Sequence, residues 1–416
     1  IKGLNLGIRI GNENAISLLL YVDDIIILAE TDTDLQLMLD AIGRWCCDWR
    51  LKCSNTKTQV VHFRPNNVEK TNVQFNLAGQ DLSLVEKYKY LGIIFDEFMT
   101  FEYAAKTLSD AAGLALGKIS FRYRGLEGMG IDSFTKLYES YVNSIMTYAG
   151  GIWGVTPFSC CDALQFRAMR LFLGVNRFTP KPAISGEMGW LPTLTDMQCN
   201  AIRFWNRLTH MNDDRLPKQI LRHEFMRPKT WSHELYKSLE SVDMHRELQS
   251  YNAINVSMFR SRKSQADSVE WHQKCLNMPK LRTYNLFKSE YKTENYLKWI
   301  YHHGKKAVMS QFRCGVLPLK IETGRYTNIP AHFRICELCD SNEVEDEIHF
   351  LTSCSVYDRA RNCLYDKAIE IYSDFNQYEN DVKLLILMND EDLTKHVADY
   401  LYNSFMKRKT ILYNDM

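Results

Sequence analysis

The 416-residue sequence has no run of about 18 consecutive apolar residues, the length that a membrane-spanning helix needs. Its most apolar stretch, residues 18–29, is interrupted by Asp23 and Asp24, so no membrane span is expected. A recognisable signal peptide is also missing. The chain begins at Ile1, inside a strand-like run, which suggests the downstream part of a longer protein.

Net charge is almost absent as well. The 51 Lys and Arg residues against 50 Asp and Glu residues leave a formal charge of +1, so any polyanion-binding surface must come from local clustering. Hydrophobic residues make up 45% of the chain and charged residues 24%. These proportions exclude wholesale disorder and collagen-like architecture, and the length allows roughly two to three domains. The twelve cysteines are too sparse for a disulfide scaffold, which predicts reduced thiols and an intracellular protein.

Hydrophobic periodicity predicts an α+β fold. Two apolar runs flank the Asp-Asp pair and predict a hairpin of buried strands with carboxylates at its turn. Thr33 and Gln36 form a capping box that predicts a helix over about 34–49. Strands are expected at residues 60–63, 73–77 and 88–95. From about residue 101 the patterns are helical, with one stripe at Phe134, Leu137, Tyr138, Tyr141, Val142 and Ile145.

Two adjacent aspartates at the tip of an apolar hairpin suit phosphoryl transfer. Addition to a growing nucleic acid uses two metal ions, and Mg²⁺ requires carboxylate oxygens on a rigid support. For an isolated Asp-Asp pair between apolar strands, an ordinary acidic turn is the more common explanation. The full string Tyr21-Val22-Asp23-Asp24, however, resembles the YxDD box of reverse transcriptases.

Further segments follow in the order of that family. They are residues 45–49 (WCCDW), Lys57-Thr58 before 59–63, 88–93 (YKYLGI), 148–154 (YAGGIWG), 189–192 (GWLP) and 204–208 (FWNRL). Together they resemble the LINE-type, non-LTR retrotransposon reverse transcriptases, the jockey-like lineages especially, over nearly the whole chain. The resemblance implies a partial reverse-transcriptase palm followed by a mainly helical thumb and C-terminal region. It implies segments at 1–100 (palm), 101–210 (thumb), 211–310 (basic and aromatic) and 311–416 (zinc knuckle).

The resemblance also implies roles for single residues. Asp23 would be a principal Mg²⁺ or Mn²⁺ ligand and Asp24 its less critical neighbour, with Tyr21 and Val22 beside the primer end. Lys57 would lie near the departing pyrophosphate, although a solvated lysine at a strand start is an equal alternative. The family has Asn three residues before this lysine, whereas here Ser54 stands there and Asn55 follows.

Tyr90, Leu91 and Gly92 would form the primer grip, with Gly92 allowing close backbone approach. For the tyrosine and leucine a buried strand remains an equal alternative. A two-metal site also needs a carboxylate from an upstream strand, and residues 2–7 contain none. We therefore expect a fragment that is inactive by itself and that belongs with an upstream endonuclease and fingers region.

The partners implied by the resemblance are an RNA template, a DNA primer or target, and deoxynucleoside triphosphates, in the nucleus and cytoplasm. Two other readings stay open. One is a non-catalytic RNA- or DNA-binding remnant or host-coopted module, and the other is a structural helical protein with an incidental Asp-Asp turn.

Cys336, Cys339, His349 and Cys354 have the spacing C-x2-C-x9-H-x4-C. Four such donors suit tetrahedral Zn²⁺, which predicts a structural zinc knuckle, although all four could be core residues. The loop between them is acidic, so RNA contact is expected through basic residues around it instead. These are Arg313, Lys320, Arg325, Arg334, Arg359 and Arg361.

Residues 258–306 carry local positive charge. Eleven Lys and Arg residues against four Asp and Glu residues give 11 − 4 = +7, and several aromatic residues are interleaved with them. Basic side chains with interleaved rings are typical of surfaces that bind a nucleic-acid backbone and unstacked bases. This segment is therefore predicted to bind RNA or an RNA/DNA hybrid.

Overall fold

The computed structural model describes residues 4–11, 14–54, 56–126, 128–225 and 227–413. Residues 2–3 and Asn55, used in the interpretation above, lie outside the described residues. Two compact units interleave along the chain. The first comprises Ile1–Leu108, Ala149–Phe158 and Met197–Phe259, and the second Ser109–Tyr148, Ser159–Asp196 and Arg260–Met416. This partition assigns no roles, so the four segments inferred from the sequence stay a prediction.

The strands that the structure describes belong to the first unit. They are β1 Ile8–Ile10, β2 Asn14–Ile16, β3 Leu18–Tyr21, β4 Asp24–Ile27, β5 Gln59–Val61, β6 Asn76–Leu77, β7 Gln80–Asp81, β8 Ser83–Val85, β9 Lys87–Tyr90 and β10 Ile93–Asp96. The pairs β1 and β2, β3 and β4, β6 and β7, and β9 and β10 are antiparallel, while β5 and β8 are parallel. With the helices below, they confirm an α+β fold.

The stretch 88–95, predicted as a strand, is a hairpin. Strands β9 and β10 are joined at Leu91 and Gly92, whose φ angles are 46° and 87°. Two positive φ values in a two-residue connection are the mark of a type I′ turn, which matches the twist of the flanking strands. Gly92 therefore supplies one of the two positive φ values of the turn without steric cost.

Helix α1 spans Asp32–Asp48 and begins at a different cap from the predicted one. The Thr31 hydroxyl, not that of Thr33, accepts a hydrogen bond from the Asp34 amide at 3.1 Å. Gln36 is engaged elsewhere, because its amide exchanges two hydrogen bonds with the Asn76 backbone at 2.9 and 3.0 Å. That pair ties α1 to β6. Below it, the core of this layer is formed by Leu39, Ile42, Cys46, Phe75, Leu77 and Leu82.

The remaining helices run from residue 102 to residue 413. They are α2 Glu102–Gly125, α3 Ile131–Leu137, α4 Ser144–Met146, α5 Gly150–Trp153, α6 Ser159–Leu173, α7 Lys181–Met188, α8 Thr193–Thr209, α9 Leu216–Glu224, α10 Trp231–Glu240, α11 His245–Gln249, α12 Val256–Leu276, α13 Tyr284–Phe287, α14 Tyr296–Trp299, α15 His303–Arg313, α16 Lys320–Thr323, α17 Glu347–Thr352, α18 Asp358–Ile371, α19 Asn380–Asn389 and α20 Thr394–Tyr413. None of them, as far as the chain is described, is long and apolar enough to cross a membrane.

A π-helical turn over Tyr138–Asn143 joins α3 to α4 and changes the buried stripe. From Phe134 onward the buried positions are Phe134, Tyr138, Val142 and Met146, a constant spacing of four residues. A π turn holds more residues than an α turn, so this spacing keeps one face inward. Tyr141, which the α-helical stripe predicted to be buried, is 61% exposed.

Aromatic packing forms part of the core of the second unit. The Phe134 and Phe172 ring centroids lie 4.7 Å apart, and Tyr123 lies 5.9 Å from both rings. The Tyr123 hydroxyl donates to the Phe172 carbonyl at 3.0 Å, so its polar end is satisfied inside the core.

Candidate active site and candidate metal centre

The tip of the β3–β4 hairpin places both predicted carboxylates in solvent. Tyr21 pairs with Asp24 and closes the turn, while Asp23 and Asp24 are exposed. Val22 has φ 55° and is 92% exposed. A β-branched residue in the left-handed region is a genuine outlier that costs about 1–3 kcal/mol. Strain of this kind is concentrated at functional turns, so Val22 marks this tip as a candidate site.

The prediction that both strands are buried is wrong at the tip. Leu20 is 66% and Ile25 40% exposed, and only the far ends of the strands, at Leu18 and Ile27, pack against the α1 core. The physical reason is that β3 and β4 pair only with each other among the described residues. A two-stranded sheet has no neighbouring strands to cover its outer half.

Tyr90 is the predicted primer-grip residue whose phenol interacts electrostatically with Asp24. Burial, together with the negative charge of Asp24 and the neighbouring phenol of Tyr21, raises the pKa of the Tyr90 phenol. The phenol is therefore within electrostatic reach of the turn. Leu91 is 43% exposed at the β9–β10 turn, so the buried-strand reading fails for it.

Lys57 lies just before β5 with an exposed side chain. Its backbone carbonyl accepts a hydrogen bond from the Tyr88 hydroxyl at 3.2 Å, which connects this loop to β9. Among the described ion pairs, Lys57 contacts neither aspartate. Its assignment to the pyrophosphate stays a prediction.

A complete two-metal centre is not assembled by the described residues. The one group of three or more potential metal-ligating side chains found in them is the C-terminal Cys and His cluster. Asp23 and Asp24 thus supply oxygen ligands of the kind that Mg²⁺ prefers, but no third carboxylate from the described part of the chain joins them.

The cluster brings all four predicted zinc ligands together. The ligand atoms of Cys336, Cys339, His349 and Cys354 lie within 4.8 Å of one another. The Cys336 and Cys354 sulfurs are 4.0 Å apart, and Cys339 Sγ lies 3.4 Å from His349 Nε2. Bond lengths of about 2.3 Å to sulfur and about 2.0 Å to nitrogen give tetrahedral edges of roughly 3.8 and 3.5 Å. The donor set therefore fits one Zn²⁺ ion with little movement.

Backbone pairing positions the four donors. Residues 335 and 344 form a β-bridge, and the Cys336 amide donates to the Glu343 carbonyl at 2.9 Å. Asp346 caps α17 by accepting from the His349 amide at 2.9 Å, which places His349 in the first turn of that helix. The Cys354 amide donates to the His349 carbonyl at 2.9 Å, and so brings the last sulfur back to the cluster.

A carboxylate that the sequence interpretation missed orients the histidine. Glu343 Oε2 lies 2.7 Å from His349 Nδ1, which leaves Nε2 directed at the sulfurs. Metal-bound histidines commonly donate their other ring N–H to a carboxylate in this way. Hydrogen bonds from Cys354, and further ones from His349 and the Leu338 backbone, lower the pKa of the Cys336 thiol to about 3. The cluster therefore stabilises the thiolate of Cys336, the form that binds metal, whereas the same hydrogen bond raises the pKa of the Cys354 thiol.

The basic residues around the cluster, which were predicted to contact RNA, are mostly engaged within the protein. Arg313 is 1% exposed and pairs with Glu187 and Glu294 at 2.8 and 2.6 Å. Arg361 is 4% exposed and donates to the Leu351 and Cys354 carbonyls. Lys320 pairs with Glu337, Arg325 with Glu322, and Arg334 donates to the Ile321 and Ile329 carbonyls. Of the six, Arg359 is exposed with no ion pair among the described residues.

The acidic loop between Cys339 and His349 exposes less negative charge to solvent than its sequence suggests. Glu345 is buried and receives two hydrogen bonds from Arg408 at 2.8 and 2.7 Å. Glu347 is buried and pairs with Arg282 at 2.7 Å. These partners are far away in sequence, so local composition could not reveal them.

Long-range ion pairs also neutralise much of the predicted basic segment 258–306. Eight of its eleven basic residues form ion pairs, several of them with carboxylates outside the segment, such as Glu322 and Asp399. The charge of +7 counted along the sequence therefore overstates the charge available to a polyanion.

Comparisons with known proteins agree with the motif pattern. Residues 5–95 match the family model described as reverse transcriptase (RNA-dependent DNA polymerase). The RNA-directed DNA polymerase from mobile element jockey of Drosophila funebris is 27% identical over 171 residues, which cover 39% of this chain and 18% of that protein. The polymerase from mobile element jockey of Drosophila melanogaster is 22% identical over 207 residues, which cover 47% of this chain and 22% of that protein.

These matches support, at low identity, the resemblance to a jockey-like, non-LTR retrotransposon reverse transcriptase that the motifs indicated. The matched part of the chain spans about a fifth of the length of the curated relatives. The family match covers the hairpin with Asp23 and Asp24, α1, Lys57 and all but the last residue of the β9–β10 hairpin.

Proposed function

We propose that this chain is part of an RNA-directed DNA polymerase that copies the RNA of a non-LTR retrotransposon into DNA. The observation that carries the proposal is the exposed, strained Tyr21-Val22-Asp23-Asp24 turn inside the segment that matches the reverse transcriptase family. Two-metal nucleotidyl transfer needs carboxylates that solvent and metal can reach, and this turn presents two.

Under this proposal, each predicted site residue has its own role in nucleotidyl transfer. Asp23 and Asp24 would hold Mg²⁺ or Mn²⁺, which supplies charge stabilisation for the attacking and leaving oxygens. Tyr21 and Val22 flank the primer end, and Tyr90, Leu91 and Gly92 support it from the neighbouring hairpin. Lys57 offers an ammonium group to the departing pyrophosphate. RNA template, DNA primer and deoxynucleoside triphosphates are the substrates under this proposal.

Because two carboxylates alone cannot hold two metal ions, the chain should not extend a primer by itself. Joining it to the segment that precedes the matched region in the Drosophila funebris relative should create template-dependent synthesis. Asp23→Ala should then abolish synthesis while template binding persists. Asp81→Ala is the matched control, since Asp81 is an exposed aspartate in another hairpin of the same unit.

Synthesis by the 416-residue chain alone would refute the conclusion that Asp23 and Asp24 need a further carboxylate. If the chain joined to the upstream segment tolerates Asp23→Ala as well as it tolerates Asp81→Ala, the assignment of the β3–β4 turn to metal binding is refuted.

We also propose that Cys336, Cys339, His349 and Cys354 hold a structural Zn²⁺ ion. The proposal is supported by the close agreement of their separations with a tetrahedral site. Purified protein should contain about one Zn²⁺, and Cys336→Ser or His349→Ala should remove it and destabilise the C-terminal region, because binding and folding are linked. Cys363→Ser, at an exposed thiol on α18, is the control. Absence of zinc from protein purified under reducing conditions would overturn the proposal.

A second candidate function is a non-catalytic RNA- or DNA-binding module. It is favoured by the lack of a third carboxylate near Asp23 and Asp24 among the described residues. The same extended chain separates the two functions, since a binding module would bind the template and remain inactive after the upstream segment is joined.

A further inference from the structure

A concave pocket of about 420 Å³ lies within the second unit. Its lining comes from the ends of three helices: Arg124 from α2, Arg170 and Leu171 from α6, and His303 from the start of α15, with Gly174 following α6. Two of these side chains are permanently positive, and the His303 imidazole offers a ring N–H donor. No carboxylate belongs to the lining.

The two arginines lack acidic partners. In contrast to Arg313 or Arg408, neither Arg124 nor Arg170 takes part in an ion pair within the described ranges of the chain. Arg170 Nε is buried and has no hydrogen-bond partner. A buried donor without an acceptor costs about 1–3 kcal/mol, so such groups usually have a function or a ligand.

The surroundings of the pocket add positive potential. Lys306, three residues after His303 on α15, is fully buried without a carboxylate partner, and its Nζ donates to the Met129 carbonyl at 2.8 Å. Burial lowers the pKa of His303, and the positive charges of Lys306, His302 and Arg124 lower it further. The charged groups that act on His303 are thus all basic. Helix α15 has 11 residues, and its positive dipole end begins at this histidine.

Gly174 shapes the pocket floor. Its φ is 67°, and a Cβ at this position would lie 2.5 Å from the Ala307 Cβ. Any other residue would force the end of α6 away from α15, so the glycine allows Arg170 and His303 to line the same cavity.

We infer that this pocket binds a phosphate group, held by Arg124 and Arg170 with His303 and the N-terminal end of α15. Guanidinium groups bind phosphate oxygens through paired, charge-assisted hydrogen bonds, and a helix N-terminus favours an anion. The volume exceeds that of one phosphate ion and accommodates a phosphate attached to a sugar. The ligand is therefore either a backbone phosphate of single-stranded RNA or a free phosphate compound. The inference stands apart from the proposed polymerase function, whose site belongs to the other unit.

The test uses the full chain and has two arms, each a titration with a different ligand. Inorganic phosphate is titrated calorimetrically, and a fluorescent single-stranded RNA is titrated by anisotropy. Arg124→Gln and Arg170→Gln should each weaken phosphate binding at least about tenfold, the loss expected for one charge-assisted contact. Arg122→Gln and Arg167→Gln, exposed arginines on the same two helices outside the lining, should bind as the wild type does. Equal melting temperatures of all four variants establish that folding is unaffected.

Loss of affinity in both arms, with phosphate competing against RNA, identifies a backbone phosphate as the ligand. Loss in the phosphate arm alone identifies a free phosphate compound. The inference is overturned if the wild type binds neither ligand saturably, or if the double variant Arg124→Gln, Arg170→Gln binds both as well as the double control does.

Discussion

Lys306 Nζ lies 3.8 Å from the centroid of the Phe172 ring, in a position where the lysine side chain is fully buried. Its hydrogen bond to the Met129 carbonyl and the faces of Phe172 and Tyr123 replace the water that an ammonium group normally has. No carboxylate compensates for the burial, which lowers the pKa of Lys306 to about 7. The second unit thus contains a lysine whose protonated form is less stable in the folded chain than in water.

This burial predicts a pH dependence of stability. The pKa of Lys306 is about 7 in the folded chain and 10.5 in the unfolded chain, so the unfolded chain binds more protons between these values. The free energy of unfolding should therefore rise with pH from about 7 towards about 10. At about 1.4 kcal/mol per pKa unit, the total effect is several kcal/mol.

Lys306→Met should remove this dependence. The variant should be more stable than the wild type near neutral pH, and the difference should shrink as the pH approaches about 10, measured by denaturant unfolding. Lys305→Met is the control, because Lys305 is half-exposed and pairs with Asp399. A difference between Lys306→Met and the wild type that does not change with pH would contradict the assignment.

Glu343 allows a test of the metal centre that leaves all four ligands in place. Its carboxylate holds His349 Nδ1 at 2.7 Å, so Glu343→Gln should weaken zinc binding about 10- to 100-fold without unfolding the zinc-saturated protein. Competition with a chelator measures the affinity. Asp340→Asn, which removes an exposed charge beside Cys339, should have little effect. Equal affinities of the two variants would show that Glu343 does not orient the histidine.

The zinc cluster and the basic segment show what the sequence could and could not reveal. The four ligands lie within 19 residues and are brought together by one β-bridge and one short helix, so their spacing was sufficient. The neutralisation of the basic segment depends on partners as distant as Glu347 and Asp399, which local charge counts cannot include.

The sequence placed the N-cap of α1 two residues too late, because Thr31 and Thr33 are chemically equivalent candidates. Only the tertiary contacts of Gln36 decide between them.

The neutralised segment predicts that removing one carboxylate should expose a phosphate contact. Glu270 and Lys274 form an exposed ion pair at 2.5 Å on α12. If this segment binds single-stranded RNA, Glu270→Gln should steepen the log-log dependence of affinity on salt by about 0.7, the value for one added contact. Glu370→Gln releases Lys367 from a similar exposed pair on α18 and should leave the slope unchanged. Equal slopes for both variants would place the RNA-binding surface elsewhere.

Val22 provides a test of strain at the candidate polymerase turn. Glycine adopts positive φ without steric cost, so Val22→Gly should relieve about 1–3 kcal/mol of strain and lose about 0.5–1 kcal/mol to chain entropy. The net gain in the free energy of unfolding of the first unit should be about 1 kcal/mol. Val22→Ala is the matched control, because it shortens the side chain but keeps the Cβ that strains φ 55°. The alanine variant should therefore gain less stability than the glycine variant.

In the active chain that is joined to the upstream segment, Val22→Gly should also lower primer extension, since the fixed turn that presents Asp23 becomes flexible. A glycine variant that is less stable than the alanine variant would show that the turn stores no strain, and would remove the main structural sign that this hairpin is a functional site.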